Sequence, residues 1–112
     1  MTSRGTTDFW RLYHALTPEI RQTAQKAFRK FLDNPAHPGL QLERLCSDER
    51  AWSVRVSRKY RAVARRYDDD WLWFWIGTHE EFDRQFPKQH SRMLFYFPLT
   101  NAANWWIISM PN

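Results

Sequence analysis

The sequence predicts an α+β fold, in which a small antiparallel β-meander of three to four strands has two N-terminal helices packed on one face. Three observations predict it: helical periodicity up to residue 33, two-residue alternation from residue 52, and an aromatic run at residues 71–76. Helical segments come first and strands follow, which is the order typical of α+β proteins. A chain of 112 residues has the size of a single domain.

The first predicted helix covers residues 8–16. Thr7 or Asp8 is its expected N-cap, since short polar side chains accept hydrogen bonds from the first free backbone amides. The apolar residues recur at the spacing i, i+3, i+4 and i+7, which places them on one helix face. They are Phe9, Leu12, Tyr13 and Leu16.

The second predicted helix runs from Pro18 to about Asp33. Thr17 is suited to the N-cap, Pro18 to the first helical position, and Glu19 to the positive end of the helix dipole. Residues that continue a helix poorly follow it, beginning with Asn34 and Pro35. The predicted buried face consists of Ile20, Ala24, Ala27, Phe28 and Phe31.

The remaining predicted elements are strands. Leu40 and Leu42 begin a short strand. Residues 52–57 alternate between apolar and polar side chains, so that Trp52, Val54 and Val56 face the core and Arg55 faces the open side. Residues 60–67 are predicted to pair with this strand as a hairpin. Residues 71–76 are so apolar that we expect them to be the central strand. Alternation places three indoles on one sheet face, where core packing is favoured over base stacking: Trp71, Trp73 and Trp75.

We expect residues 1–86 to form the domain and residues 87–112 to be a C-terminal extension. The extension holds two apolar patches, at residues 93–97 and 105–108. Each patch can add a strand or cover an apolar edge. Alternatively, the extension packs poorly and exposes aromatic surface that a partner covers.

Charge and cysteine usage narrow the function classes. The formal net charge of +5 and the pI near 9.8 make nucleic acid the first partner to consider. A single cysteine, Cys46, excludes an internal disulfide, and no ligand spacing indicates zinc, so we expect no metal and no cofactor. A polar start without a secretion signal and the absence of a membrane-length apolar run favour the cytoplasm.

The strongest local signal is a cationic hairpin. Residues 51–67 contain no acidic residue. Arginine forks match phosphate oxygens, so the cluster favours RNA phosphate or an acidic partner segment, although any single arginine can instead pair with a surface acid. The cations are Arg50, Arg55, Arg58, Lys59, Arg61, Arg65 and Arg66.

His79 follows the aromatic strand and Gly77, where a side chain can reach a neighbouring cleft. Metal-independent RNA cleavage needs a base for the 2′-hydroxyl, an acid for the leaving 5′-oxygen and cations on the phosphate. We predict His79 as base or acid, with Arg61 and Arg55 on the phosphate. The predicted RNA-binding residues are Arg58, Lys59, Arg65 and Arg66. Alternatively, His79 is a solvated loop residue or caps a helix that begins near Glu80.

Two segments resemble the carboxy-terminal half of RelE/ParE toxins of bacterial type II toxin–antitoxin systems. They are residues 52–62 (WSVRVSRKYRA) and, after an acidic turn, residues 73–82 (WFWIGTHEEF). Upstream, a helix ending at Asn34 and the segment LERL at residues 42–45 are similar to the family's helical region and strand entry. The resemblance covers residues 9–86 and is nearer to the YafQ, HigB and RelE branches than to ParE.

The resemblance implies a small antiparallel sheet with helices on one face, silenced by a cognate antitoxin, and in many members an endoribonuclease that cuts messenger RNA on the ribosome. It implies that His79 takes part in cleavage and that Arg61 contacts the scissile region, with a weaker match for Arg55, Phe82 and Asp83. Family members open with a strand, whereas this chain is predicted to open with a helix. We therefore expect the sheet to lack one edge strand.

The leading hypothesis is a ribosome-dependent mRNA endonuclease that inhibits translation, with an antitoxin, the ribosome and mRNA as partners. A ParE-like inhibitor of DNA gyrase, which cuts nothing, is the alternative from another class. It needs the basic surface but not His79. A catalytically inactive remnant that only binds an antitoxin is the third interpretation, since the resemblance supplies no complete acid/base pair.

Overall fold

The computed structural model describes residues 1–87. These residues form helices, a single 3₁₀ turn and one sheet. The strands are β1 (Thr2–Gly5), β2 (Glu43–Arg44), β3 (Ala51–Ser57), β4 (Tyr60–Tyr67) and β5 (Asp70–Thr78), and the helices are α1 (Thr7–His14), α2 (Pro18–Asp33) and α3 (His79–Gln85), with the 3₁₀ turn at Pro38–Leu40. The apolar patches predicted at residues 93–97 and 105–108 lie outside the described residues, as does the predicted extension apart from Pro87.

The two N-terminal helices begin at threonine caps. The Thr17 hydroxyl accepts a hydrogen bond from the Ile20 amide at 3.4 Å, and α2 runs to Asp33 as predicted. In α1 the cap is Thr6, whose hydroxyl accepts from the Phe9 amide at 3.0 Å, so this helix begins earlier than predicted. Both helices use the side-chain capping that the polar residues before each apolar run suggested.

The sheet has the order β1-β5-β4-β3-β2. Strands β2 to β5 form the predicted antiparallel meander, and the α+β class is confirmed. The expected loss of the edge strand is wrong, because β1 pairs in parallel with β5 from Thr2 opposite Asp70 to Gly5 opposite Trp73. This polar strand has no apolar alternation, and Ser3 secures it by accepting the Trp73 indole N–H at 2.8 Å. As a result β5 is an interior strand, and β4 is the middle one.

The sheet buries a hydrophobic cluster on each face. Helices α1 and α2 cover the larger cluster, as predicted for the two N-terminal helices. Its buried members are Phe9, Tyr13, Ala24, Ala27, Phe31, Leu40, Val54, Val56, Ala62, Ala64, Trp71, Trp73 and Ile76. Helix α3 contributes to the smaller cluster on the opposite face, whose buried members are Leu45, Ala51, Val63, Trp75 and Phe82.

An irregularity in β5 divides its tryptophans between these clusters. Val63 lies opposite Trp75 and Ala64 lies opposite Trp73, so Phe74 is an extra residue relative to β4. One extra residue reverses the side-chain alternation beyond it. The prediction that three indoles share one sheet face is therefore wrong for Trp75, whereas core packing holds for all three, which are 4%, 4% and 8% exposed.

None of the helices within residues 1–87 is both long enough and apolar enough to cross a membrane.

Replacing Gly5 by alanine tests the packing of β1 against α1. A Cβ on Gly5 would lie 2.7 Å from both Phe9 Cδ2 and Trp10 Nε1, and Phe9 is only 2% exposed. We expect Gly5→Ala to lower the free energy of unfolding by about 1–3 kcal/mol, as overpacking does. Urea denaturation followed by tryptophan fluorescence measures this change.

Gly39→Ala is the matched control. At this exposed position a Cβ would meet the His37 ring at 3.2 and 3.3 Å and Lys30 Nζ at 3.9 Å, all of them side-chain atoms. We expect its effect to stay within about 0.5 kcal/mol. Equal stabilities for the two variants would contradict the described contact between β1 and α1.

Candidate functional site

A cleft opens on the sheet face that carries the smaller hydrophobic cluster. Its volume is about 380 Å³. The residues come from the approach to β2, from β2, β3 and β4, and from the first turn of α3. They are Gln41, Leu42, Glu43, Ser53, Arg61, His79 and Phe82. The fold thus brings together Arg61 and His79, which are distant in sequence, and we call this space the Arg61–His79 cleft.

His79 is the first residue of α3 and is held at both its backbone and its side chain. Its amide donates a hydrogen bond to the Lys59 carbonyl in the β3–β4 turn at 2.7 Å. Its ring Nδ1 lies 3.2 Å from the Asp83 carboxylate, one helical turn later. The imidazole is 43% exposed, so it remains accessible to a ligand in the cleft. A carboxylate at Nδ1 leaves Nε2 as the ring nitrogen for proton exchange with a substrate.

A capping box fixes the start of α3 and therefore the position of His79. The Thr78 hydroxyl accepts from the Glu81 amide at 3.1 Å, while the Glu81 carboxylate accepts from the Thr78 amide at 2.9 Å. This backbone hydrogen bond from Thr78 is the main reason that the pKa of Glu81 lies below its ordinary value near 4.5. Gly77 makes the approach feasible, since a Cβ there would lie 2.7 Å from the Trp75 ring and 2.8 Å from Glu81 Oε1.

Helix α3 is anchored to the sheet by the smaller hydrophobic cluster. Phe82 is 3% exposed, and its ring centroid lies 6.1 Å from that of Trp75. Phe86 lies 5.6 Å from Trp75 by the same measure. The reversed orientation of Trp75 therefore supplies the surface on which the His79 helix packs.

Arg61 places a half-buried cation in the cleft. Its Nη1 donates to the carbonyl oxygens of Ser57 at 2.8 Å and Tyr60 at 3.0 Å, which directs the guanidinium along its own hairpin. Burial lowers the pKa of Arg61, the Arg55 charge lowers it further, and the charges of Asp83 and Glu43 oppose this shift. Arginine stays protonated in proteins, so the group is a positioned cation with further N–H donors for a ligand.

Glu43 is a cleft residue that the sequence did not single out. It lies in β2 opposite Ser53, and its charge acts on the guanidinium of Arg61. It lines the same cleft as the His79 imidazole and the Arg61 guanidinium, and a carboxylate there is chemically able to accept or donate a proton. No local pattern marked Glu43, because β2 has only two residues and reaches the cleft through its pairing with β3. Asp83, which the resemblance matched only weakly, stands at the i+4 spacing that brings its side chain to His79.

Arg55, also predicted for catalysis, lies opposite Arg61 in the β3–β4 pairing. It lines a different cavity, together with residues of α2. Arg58 and Lys59 form the exposed hairpin turn between β3 and β4. The structure thus brings His79 and Arg61 into one cleft and places Arg55 beside it.

Arg65 and Arg66 make contacts elsewhere on the sheet. Arg65 forms an ion pair with Asp48 at 2.9 Å, and its guanidinium carbon lies 4.4 Å from the centroid of the Phe74 ring. Arg66 donates to the Asp68 carbonyl at 2.8 Å, and its guanidinium lies 5.2 Å from the Trp71 ring centroid. Neither side chain lines the Arg61–His79 cleft.

Within residues 1–87, no group of three or more histidine, cysteine or acidic side chains is arranged to hold a metal ion. The reactive groups in and beside the cleft are an imidazole paired with a carboxylate, a second carboxylate and a guanidinium. Such groups can accept a proton, donate a proton and stabilise negative charge on a phosphate.

Comparison with known proteins identifies a family match. The family model described as ParE-like toxin domain matches residues 18–84, more than half of the chain. No curated protein sequence matches the chain.

Solved structures with similar folds include three toxins or toxin complexes. The YoeB/ParE toxin from Agrobacterium tumefaciens has a TM-score of 0.57 and 19% identity, covering 70% of this chain and 99% of that one. YafQ from E. coli has a TM-score of 0.58 and 13% identity, with coverages of 71% and 94%. The RelB-RelE antitoxin-toxin complex from Methanococcus jannaschii has a TM-score of 0.60 and 11% identity, with coverages of 74% and 98%. At these identities the likeness is one of fold.

The α3 cap should make stability depend on pH. A carboxylate with a lowered folded-state pKa stabilises the fold fully above its ordinary pKa and loses this contribution as pH falls through the folded-state value. The free energy of unfolding should therefore fall between pH 6 and pH 3 by a smaller amount in Glu81→Gln than in the parent. Urea denaturation at the two pH values measures the difference, and identical decreases would contradict the role of Glu81 in the cap.

Removing the Thr78 hydroxyl should destabilise the same cap. We expect Thr78→Ala to lower the free energy of unfolding by about 1 kcal/mol. Thr23→Ala is the control, because the Thr23 hydroxyl donates a hydrogen bond to the Glu19 carbonyl within α2 and caps no helix end. A larger loss in the control than in Thr78→Ala would contradict the capping role.

Proposed function

The chain belongs to the ParE-like toxin domain family, and from that premise we propose that it is the toxin of a type II toxin–antitoxin system that cleaves messenger RNA on the ribosome. The observation that carries this proposal is the shared cleft of Arg61, His79 and Glu43. One groove offers a cation for the phosphate and two groups for proton transfer. Cleavage of mRNA in the cytoplasm would inhibit translation.

Cleavage starts with the ribose 2′-hydroxyl, whose proton passes to the Glu43 carboxylate. The 2′-oxygen attacks phosphorus, forming a new P–O bond, while the bond from phosphorus to the 5′-oxygen breaks. Protonated His79 donates its Nε2 proton to the departing 5′-oxygen. The products are a 2′,3′-cyclic phosphate and a 5′-hydroxyl, so the step needs no oxidant or other reactant.

Arg61 stabilises the phosphate during this step. In the transition state, phosphorus is bonded partly to both the attacking and the leaving oxygen, and negative charge builds on the non-bridging oxygens. A guanidinium held in a fixed position stabilises that transition state. The hydrogen bonds to the Ser57 and Tyr60 carbonyls hold the cation in place before the substrate arrives. The Asp83 carboxylate, 3.2 Å from Nδ1, keeps the His79 ring oriented.

The partners proposed are an antitoxin, the ribosome and mRNA. The structures from Methanococcus jannaschii and of RelBE2 from Mycobacterium tuberculosis are toxin–antitoxin complexes, which supports an antitoxin for this chain. A net charge of +5 favours association with RNA and with acidic protein surfaces.

Inhibition of DNA gyrase is the second candidate function, favoured by the ParE-like description of the matching family. A gyrase inhibitor that cleaves nothing would use the basic surface and would not need His79. Primer extension on mRNA from arrested cells separates the two functions, since gyrase inhibition leaves transcripts intact and damages DNA.

Substitution of His79 tests the catalytic proposal. Induced expression of the parent should stop growth and translation, and His79→Ala should relieve the arrest, because loss of an acid–base group lowers rates about 10²- to 10⁴-fold. His14→Ala, at the exposed end of α1, should leave the arrest unchanged. Growth curves and primer extension provide the readout.

An arrest that persists in His79→Ala, with DNA damage and intact transcripts, would favour gyrase inhibition and refute the nuclease proposal. No arrest by the parent would favour an inactive toxin that only binds an antitoxin.

Substitution of Glu43 tests the proposed base. We expect Glu43→Gln to lower the rate of ribosome-programmed mRNA cleavage about 10²-fold or more while leaving the thermal unfolding midpoint near that of the parent. Glu49→Gln is the matched control, since Glu49 is exposed and does not line the cleft. Cleavage at the parental rate by Glu43→Gln would remove Glu43 from the mechanism.

A further inference from the structure

A second cavity opens between α2, the 3₁₀ turn and β3. Its volume is about 260 Å³. Lys26, Lys30 and Arg55 line it, and the buried side chains of Leu40 and Val56 are part of its wall. The two lysines lie one helical turn apart, so they share a face of α2. We call this space the Lys26–Lys30 groove.

The positive charges that line the groove have no acidic side chain beside them in its lining. Its lining contains three basic side chains and no acidic one. Among the described residues, no ion pair joins Lys26, Lys30 or Arg55 to a carboxylate. Several unneutralised cations around one cavity create a positive potential that attracts anionic ligands.

Arg55 connects the groove to the Arg61–His79 cleft. It lines the groove and also lies directly opposite Arg61 in the β3–β4 pairing. Like charges opposite one another destabilise a sheet. The Arg55 charge also lowers the pKa of Arg61, second only to burial. An anionic chain that contacts both guanidinium groups would relieve this repulsion.

We propose that the Lys26–Lys30 groove is a second phosphate-binding subsite, which holds the backbone of the RNA strand whose scissile phosphate lies in the Arg61–His79 cleft. The strand passes from Arg61 over Arg55, around the part of β3 that β2 leaves unpaired, and into the groove on the α2 side of the sheet. Lys26 and Lys30 contact its flanking phosphates. This subsite rests on the proposed function, because it requires RNA in the cleft.

Binding of a non-cleavable RNA tests the subsite. The full chain carrying His79→Ala serves as parent, and the probe is a fluorescein-labelled, single-stranded 2′-O-methyl RNA octamer. Anisotropy titrations between 50 and 200 mM salt compare the parent with Lys26→Gln/Lys30→Gln. For single strands, each lost phosphate contact makes the negative slope of log K against log salt shallower by about 0.7. We therefore expect the slope of the double variant to be shallower by about 1.4, and its affinity for the octamer at 50 mM salt to be roughly tenfold or more weaker.

Arg4→Gln/Arg11→Gln is the matched control, since it removes the same charge from β1 and α1, at the opposite edge of the sheet. This control should bind within about twofold of the parent, because its cations lie away from the proposed path. If both double variants bind alike, the subsite is wrong while the cleft proposal stands. If the parent does not bind the octamer, the subsite is wrong, whereas the cleavage proposal is decided separately by ribosome-programmed cleavage with the His79 and Glu43 variants.

An acidic protein segment is the competing occupant. Poly-glutamate serves as its probe under the same conditions. Loss of poly-glutamate binding in Lys26→Gln/Lys30→Gln, with unchanged RNA binding, would assign the groove to a protein partner and overturn the RNA assignment.

Discussion

The described fold depends on one extra residue in β5. Phe74 breaks the alternation between Trp73 and Trp75, so a single strand supplies aromatic side chains to both hydrophobic clusters. With regular alternation, Trp75 would share the face of Trp73, and the opposite face would lose its largest buried side chain. A small domain gains from burying apolar area on both faces of its sheet, because surface burial is the main favourable term in its stability.

The site follows from this constraint. Trp75 gives Phe82 a surface to pack on, the Thr78 cap starts α3 at the strand end, and His79 is thereby held against the β3–β4 turn. Arg61 reaches the same cleft from the adjacent strand. The reactive side chains are partly exposed, but the elements that hold them are anchored by buried aromatic contacts and backbone hydrogen bonds. Such support is what a preorganised phosphate site requires.

The sequence predicted features that depend on neighbouring residues, such as helix ends. It did not predict features that depend on contacts between residues distant in sequence. Thr17 and the residues after Asp33 marked both ends of α2, because capping and helix termination are local effects. β1 escaped prediction because its polar residues pair through the backbone with a strand distant in sequence. The bulge at Phe74 escaped prediction because residues 71–76 contain no glycine or proline that would indicate one. Glu43 joins the cleft only after β2 pairs with β3, so its spacing from His79 could not reveal the site.

We propose that the groups in the Arg61–His79 cleft cleave RNA through attack by the ribose 2′-oxygen. Mass spectrometry can identify the ends of the RNA fragments that form when the purified chain is added to ribosomes programmed with a defined message. We expect upstream fragments that end in a 2′,3′-cyclic phosphate and downstream fragments that begin with a 5′-hydroxyl. Fragments with 3′-hydroxyl and 5′-phosphate ends, or an intact message, would contradict it.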